Sequence, residues 1–164
     1  VTRYALQIAG LLNLSQKEVN ALKIAGLLHD IGKLGLPDAI LRKTGSLTRD
    51  ERTELQHHST TGSDILTGIS QMETIVPAIL HHHERWDGAG YPEGLSGESI
   101  PKIARIIAVA DALEAMTSDR PYRKAMPIQS ALLELRANAG KQFDPEIVDA
   151  FIDWLSKHEQ EDAA

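Results

Sequence analysis

Helical periodicity is the feature that most constrains the fold of this chain. Apolar residues recur three or four positions apart along most of the sequence, as Val19, Leu22 and Ala25 do, and this spacing is typical of one face of an α-helix. No segment of any length alternates polar and apolar residues as a half-buried strand does. The sequence therefore predicts an all-α fold.

Caps and helix breakers predict where the helices begin and end. Ser15 with Glu18, and Thr48 with Glu51, have the spacing of capping boxes. Helices are predicted over residues 2–12, from 16 until the glycines at 32 and 35, at 37–41, from 49 through His58 to Leu66, from about 75 to 83, over 102–117, between Pro127 and Gly140, and after Asp144–Pro145. Residues 84–101 are rich in Gly and Pro and predict a long irregular loop, a kind of segment that is usually functional or disordered.

Composition limits the class of protein. The 164 residues, of which 42% are apolar, suffice for one domain with an ordinary core. Cysteine is absent, which excludes disulfides and thiolate metal ligands, and a net charge of −6 argues against binding to polymeric nucleic acid. No apolar run is long enough to span a membrane and no signal peptide opens the chain, so a cytoplasmic location is expected. The sequence begins as if inside a helix, which predicts a piece of a longer protein.

Six of the seven histidines lie between residues 29 and 83, grouped with acidic residues. His29 precedes Asp30, a pair and a triplet of histidines follow, and Asp111 interrupts an apolar helical run. Imidazole and carboxylate ligands without sulfur suit Fe, Mn or Zn. The alternatives are structural histidines, a solvated histidine triplet, and an Asp111 that forms a salt bridge with Arg105 or Arg120.

Five motifs in a fixed order resemble the HD-GYP family, a branch of the HD-domain metal-dependent phosphohydrolases. They are HDIGKLGLPDAIL at residues 29–41, HHERWDGAGYPEGL at 82–95, AVAD at 108–111, TSDRPYRKA at 117–125 and GKQFDP at 140–145. The resemblance covers residues 1–155. It implies an HD-domain helical bundle over residues 1–158 with a long Gly/Pro-rich GYP loop, followed by a polar tail at 159–164.

The resemblance also implies a metal-dependent phosphodiesterase that hydrolyses cyclic di-GMP to linear pGpG, and further to GMP in some members, in bacterial signalling. Two or three divalent ions, Fe or Mn, are implied. The family's metal ligands fall on His29, Asp30, His58, His82, His83 and Asp111. His57 and His81 fall outside the pattern. A further family histidine would lie on the helix upstream of Val1.

Roles in catalysis and substrate binding follow from the same resemblance. Asp30 matches the position that bridges metal ions, and Lys33 matches a contact to the substrate phosphate. Arg120 and Arg123 match positions that hold the phosphates of the dinucleotide, and Tyr91 lies in the loop that shapes the rim of the site. Diguanylate cyclase domains of the GGDEF type are implied partners of that loop, and a receiver or sensor domain is implied upstream.

Two other functions stay open at the level of sequence. One is an HD phosphohydrolase that acts on a different nucleotide, against which the Gly-Tyr-Pro segment and the Arg120/Arg123 pair speak. The other is a catalytically weak domain that binds a cyclic dinucleotide or a protein partner. The intact histidines and aspartates speak against it, whereas the family histidine missing upstream of Val1 speaks for it.

Overall fold

The computed structural model describes residues 1–119 and 124–161, with side chains through residue 155. The α-helices of this part are α1 (Thr2–Leu11), α2 (Gln16–Leu28), α3 (Asp38–Leu41), α4 (Arg49–Gln56), α5 (His58–Leu66), α6 (Val76–His81), α7 (Lys102–Thr117), α8 (Ile128–Ala137) and α9 (Pro145–Glu161). Short 3₁₀ helices lie at Ile31–Gly35, Ser70–Met72 and Gly97–Ser99. These residues contain no strand, which confirms the predicted all-α class.

Helix α7 is the centre of the bundle. It contacts α1, α2, α6, α8 and α9, so it has neighbours on most sides. Its buried side chains include Ile106, Ile107 and Leu113, which are fully shielded from solvent. A helix surrounded in this way is apolar around much of its circumference, and this explains why Asp111 stands out in its sequence.

The predicted caps are present. Ser15 and Thr48 each accept a hydrogen bond from the N–H of the glutamate three residues later, and that glutamate bonds back to the cap, which completes both capping boxes. Asp144 precedes α9 and accepts from the N–H of Glu146. Helix α9 reaches Glu161, into the predicted polar tail.

Two helix boundaries differ from the prediction. Helix α2 ends at Leu28, and the chain turns into the 3₁₀ helix Ile31–Gly35 where the sequence predicted continued α-helix. The predicted helix after Thr48 is divided at His57 into α4, which has no buried residue, and α5, which begins with the buried His58.

Close packing at Gly32 accounts for the early end of α2. A Cβ atom on Gly32 would lie 1.9 Å from the carbonyl oxygen of His58 and 2.5 Å from the amide nitrogen of Gly62. The 3₁₀ helix therefore lies directly against the backbone of α5, and only glycine allows this approach. This contact brings Asp30 beside the first residue of α5.

None of the helices in the described part of the chain combines the length and apolarity that a bilayer crossing requires.

Replacement of Gly32 by alanine tests the packing of the 3₁₀ helix on α5. Because the Cβ would overlap backbone atoms, we expect Gly32→Ala to lower the free energy of unfolding by roughly 3 kcal/mol or more. Gly10 is the matched control, since a Cβ there meets nothing within 4 Å, and Gly10→Ala should leave stability unchanged or raise it by up to about 1 kcal/mol. Urea denaturation measures both, and equal stabilities for the two variants would contradict the packing described.

Candidate metal centre

The histidines predicted as ligands, together with Asp30, lie at the ends of helices that meet beside α7, which carries Asp111. His29 and Asp30 follow α2, and His58 is the first residue of α5. His82 and His83 follow α6. Residues far apart in sequence thus come together, and one potential ligand atom from each of Asp30, His58, His82 and His83 lies within 4.8 Å of the others.

Three of the histidines are oriented by the backbone of the preceding helical turn. The Nδ1 atoms of His29, His58 and His82 lie 3.0, 2.7 and 2.7 Å from the carbonyl oxygens of the residues three positions earlier. A carbonyl oxygen only accepts hydrogen bonds, so each Nδ1 carries the proton. In the neutral imidazole the Nε2 atom then presents its lone pair, which is the arrangement of a metal-binding histidine.

The Nε2 atoms of His58 and His82 face each other at 3.3 Å. Since both protons are on Nδ1, this contact places two lone pairs against each other, which is unfavourable unless a cation lies between them. The separation fits two nitrogens that each lie about 2.1 Å from one ion. The donor set therefore fits a divalent metal ion with nitrogen and oxygen ligands.

Asp30 directs its two carboxylate oxygens at different partners. Oδ1 lies 3.5 Å from Nε2 of His58, whereas Oδ2 lies 3.5 Å from Nε2 of His29 and 2.7 Å from Nζ of Lys33. Burial by itself raises the pKa of Asp30, but the hydrogen bond from Lys33 and the charges of His29 and Lys33 outweigh it, so the pKa is lowered. The carboxylate is therefore ionised at neutral pH.

Asp111 extends the cluster on the side of His29. Its Oδ1 lies 3.9 Å from Nε2 of His29, which stands between the two aspartates. Of the two alternative salt-bridge partners, Arg105 pairs with the buried Asp144 instead, and Arg120 lies outside the described residues. Asp111 thus faces the histidines from the middle of α7.

Burial keeps His58, His82 and His83 neutral. It lowers the pKa of His83 to about 3, with a further lowering from His58. Burial also lowers the pKa of His82 well below its ordinary value, with a further lowering from His83. The pKa of His58 is lowered by burial as well, although the hydrogen bond to Leu55 and the charge of Asp30 oppose this. Neutral imidazoles are the form that binds metal.

Tyr91 lies against the cluster. Its ring centroid is 4.9 Å from that of His83, and its backbone N–H donates to the carbonyl of His83 at 3.3 Å. Burial raises the pKa of Tyr91, and Asp30 and Asp111 raise it further, so the hydroxyl keeps its proton and is a hydrogen-bond donor near the two carboxylates.

Two histidines were expected to lie outside the ligand set, and two predicted phosphate contacts lie outside the described residues. His57 is exposed and faces Glu54, and His81 is buried beside Glu84, so neither joins the metal-binding group within the described part of the chain. The predicted phosphate contacts Arg120 and Arg123 lie outside the described residues.

The structure adds residues that the sequence did not single out. A cavity of about 170 Å³ beside His83 and Asp111 is also lined by Arg85, Ala108 and Gln142. Glu84 is buried immediately after the histidine triplet. Gln142 lies inside the motif GKQFDP and Glu84 inside HHERWDG. Their place in these motifs is the sequence signal that could have identified them as residues of the site.

Residues 1–147 match the HD domain family. The cyclic di-GMP phosphodiesterase response regulator RpfG of Xanthomonas campestris is 44% identical over 155 residues, covering 93% of this chain and 41% of that protein. A cyclic di-GMP phosphodiesterase of Thermotoga maritima is 42% identical over 148 residues, covering 89% of this chain and 40% of that protein. The 3′3′-cGAMP-specific phosphodiesterase 3 of Vibrio cholerae is 42% identical over 146 residues, covering 89% of this chain and 32% of that protein.

Solved structures share the fold. The crystal structure of the V. cholerae cyclic GMP-AMP phosphodiesterase V-cGAP3 superposes with a TM-score of 0.75 at 25% identity, covering 94% of this chain and 42% of that chain. Bd1817, an HD-GYP-type protein of Bdellovibrio bacteriovorus, gives a TM-score of 0.75 at 19% identity, covering 94% of this chain and 50% of that chain. The chain spans about two fifths of the length of the first two curated relatives. The resemblance predicted from the sequence is confirmed, and this chain belongs to the HD domain family.

Proposed function

We propose that this chain is a metal-dependent phosphodiesterase domain that hydrolyses cyclic di-GMP to linear pGpG. The observation that carries the proposal is the pair of opposed Nε2 lone pairs of His58 and His82, beside the ionised Asp30. This arrangement is suited to metal-assisted hydrolysis. The substrate class is supported by relatives at 36–44% identity that are named as phosphodiesterases of cyclic di-GMP or 3′3′-cGAMP.

The ligand set that we propose holds two or three divalent ions, with Fe or Mn as the metals. It consists of His29, Asp30, His58, His82, His83 and Asp111. The two oxygens of Asp30 face His58 on one side and His29 on the other, which supports its assignment as the residue that bridges two ions. The additional ligand next to His29 is then Asp111, 3.9 Å away.

Ions bound there would polarise the phosphodiester and supply a nucleophile from water at neutral pH. Lys33 lies at the edge of the cluster with its side chain about two fifths exposed, so its ammonium can pair with a phosphate oxygen and stabilise charge that develops there. The Tyr91 hydroxyl, which stays protonated, can donate a hydrogen bond to the substrate. Arg120 and Arg123 are proposed to hold the second phosphate, since a guanidinium fork suits a phosphate.

The wider context is also a proposal. Residues 1–158 would form the catalytic domain of a cytoplasmic signalling protein, with a receiver or sensor domain upstream. The name of the Xanthomonas relative, a response regulator, supports this. The segment with Gly90, Tyr91 and Pro92 is the proposed contact for GGDEF-type diguanylate cyclases.

A substrate comparison tests the proposed function. The purified chain is loaded with Mn²⁺ or, without oxygen, with Fe²⁺, and is incubated separately with cyclic di-GMP, 3′3′-cGAMP and a nucleoside polyphosphate. We expect cyclic di-GMP to give the highest kcat/KM, with pGpG as the first product by chromatography. Preference for 3′3′-cGAMP would change the assigned substrate, and preference for the polyphosphate would support the alternative HD phosphohydrolase. Metal binding without turnover of any of these would support a binding module.

Asp30→Asn tests the bridging carboxylate. The amide keeps the shape of the side chain but loses the charge and one of the two oxygen ligands, so we expect the loss of at least one metal equivalent. Turnover should fall by more than about 100-fold, because even residues that only support metal ligands contribute 10–100-fold. Metal analysis by mass spectrometry and a turnover assay give the two values. His57→Gln is the control at an exposed histidine outside the cluster, and normal metal content in Asp30→Asn would refute the assignment.

The pH dependence of stability tests whether the histidines are neutral. Between the ordinary pKa of 6.5 and the folded-state pKa of about 3, His83 binds a proton in the unfolded chain only, so protonation favours unfolding. The contribution of the neutral His83 to the free energy of unfolding is therefore complete above pH 6.5 and is lost as the pH falls toward 3. For the metal-free protein, it adds a slope of about 1.4 kcal/mol per pH unit within that window.

Denaturation of the metal-free protein at several pH values between 7 and 4.5 measures this slope. His83→Gln should show a shallower decline than the parent chain, and His57→Gln should decline as the parent does. A parent slope that His83→Gln leaves unchanged would mean that His83 is not held neutral by the fold.

A further inference from the structure

Glu84 has a buried carboxylate for which the proposed hydrolysis provides no role. Its side chain is fully shielded from solvent, and Oε2 has no hydrogen-bond partner in the described part of the chain. A buried carboxylate with an unpaired oxygen lowers stability. Buried polar groups that lower stability in this way are concentrated at functional sites. The contacts of the other carboxylate oxygen show which part of the site Glu84 serves.

The other oxygen, Oε1, holds the loop that carries Tyr91. It accepts hydrogen bonds from the backbone N–H groups of Glu93 at 2.8 Å and Gly94 at 3.1 Å. Glu93 and Gly94 are exposed as residues, but their N–H groups point inward to the shielded Glu84 carboxylate and the two hydrogen bonds are part-buried. The contact therefore attaches an exposed loop to the buried interior beside the metal centre.

Two further contacts hold the same loop on the other side of Tyr91. The N–H of Tyr91 donates to the carbonyl of His83. At Gly90 a Cβ would lie 2.4 Å from the amide nitrogen of Arg85 and 2.5 Å from Cα of Glu84, so the loop passes directly against the backbone that follows the metal ligands. The segment from 90 to 94 is therefore attached at both ends to residues 83–85.

We propose that Glu84 is a positioning residue, whose carboxylate fixes residues 90–94 so that Tyr91 stays against His83 at the metal centre. The inference rests on the proposed function, since it assigns Glu84 an effect on the binding of the cyclic dinucleotide. Glu84 acts through Tyr91 and touches neither the substrate nor the metal. Charge on the acceptor strengthens both hydrogen bonds to the loop.

Three substitutions at Glu84 distinguish the effect of the position of the acceptor oxygen from the effect of its charge. Glu84→Gln keeps an oxygen at the same distance and should retain most of the parent activity. Glu84→Ala removes the acceptor, and Glu84→Asp withdraws it by one methylene while keeping the charge. We expect both to raise KM for cyclic di-GMP about tenfold, the effect of losing about one net hydrogen bond, with kcat changed less and metal content unchanged. Glu98→Ala, at an exposed glutamate of the 3₁₀ helix Gly97–Ser99 that follows the loop, is the matched control.

A double-mutant cycle with Tyr91→Phe shows whether Glu84 acts through Tyr91. If it does, Glu84→Ala should add little to the KM of a chain that already lacks the Tyr91 hydroxyl, whereas independent effects multiply. Multiplied effects, or a Glu84→Ala chain that loses thermal stability with KM unchanged, would overturn the proposal. If Glu84→Ala does not fold, the comparison of Glu84→Asp with Glu84→Gln decides, and equal KM values for these two would overturn it.

Hydrogen exchange gives a reading that does not depend on activity. In the parent chain the amides of residues 93 and 94 should exchange slowly, and Glu84→Ala should accelerate exchange in a peptide that covers 91–95 while peptides from α7 stay unchanged. Unchanged exchange in that peptide would overturn the proposed loop contact. A parent chain that hydrolyses no cyclic dinucleotide would instead overturn the proposed function, so the two failures are distinguishable.

Discussion

The hydrogen bond from Nδ1 of His29, His58 and His82 to the carbonyl three residues earlier is the interaction on which the metal centre depends. It uses a carbonyl of the preceding helical turn as the acceptor, at Gly26, Leu55 and Ile79. Because a carbonyl accepts only, the tautomer of these three histidines is determined and each Nε2 atom keeps its lone pair free for a metal ion. The opposed Nε2 atoms of His58 and His82, and the presence of Asp30 between two histidines, follow from this orientation.

The helices place these groups with little tolerance. Gly32 lies directly against the backbone of α5, which brings Asp30 within 3.5 Å of the His58 ring. Helix α7 carries Asp111 among fully buried apolar residues, so the position of that carboxylate is set by core packing. A site built on such contacts is held by rigid elements, which metal chemistry requires because ligand geometry controls the reactivity of the ion. The loop with Tyr91 is the part of the site that lacks a helix, and buried Glu84 supplies its attachment.

Electrostatics at the site favour a cation in two ways. Burial suppresses protonation of the histidines, so the positive charge that protons could have supplied is absent at neutral pH. Asp30 stays ionised despite partial burial, with Lys33 as its partner. The neutral imidazoles of His58, His82 and His83 and the ionised Asp30 are thus already in the protonation states that bind metal, and Lys33 lies at the edge of the cluster where an anionic substrate can approach.

The sequence by itself determined the helical class, the capping boxes, the start of α9 at Pro145 and the identity of the candidate ligands, because these depend on local periodicity, on neighbouring residues and on motifs with fixed spacing. Tertiary structure decided the early end of α2, the division at His57 and the burial of Glu84, because each results from contact between segments distant in sequence. It also decided that Arg105 pairs with Asp144 and that, among the described residues, Asp111 faces His29. Local patterns do not contain the distances between helices, and those distances determine which buried charge finds a partner.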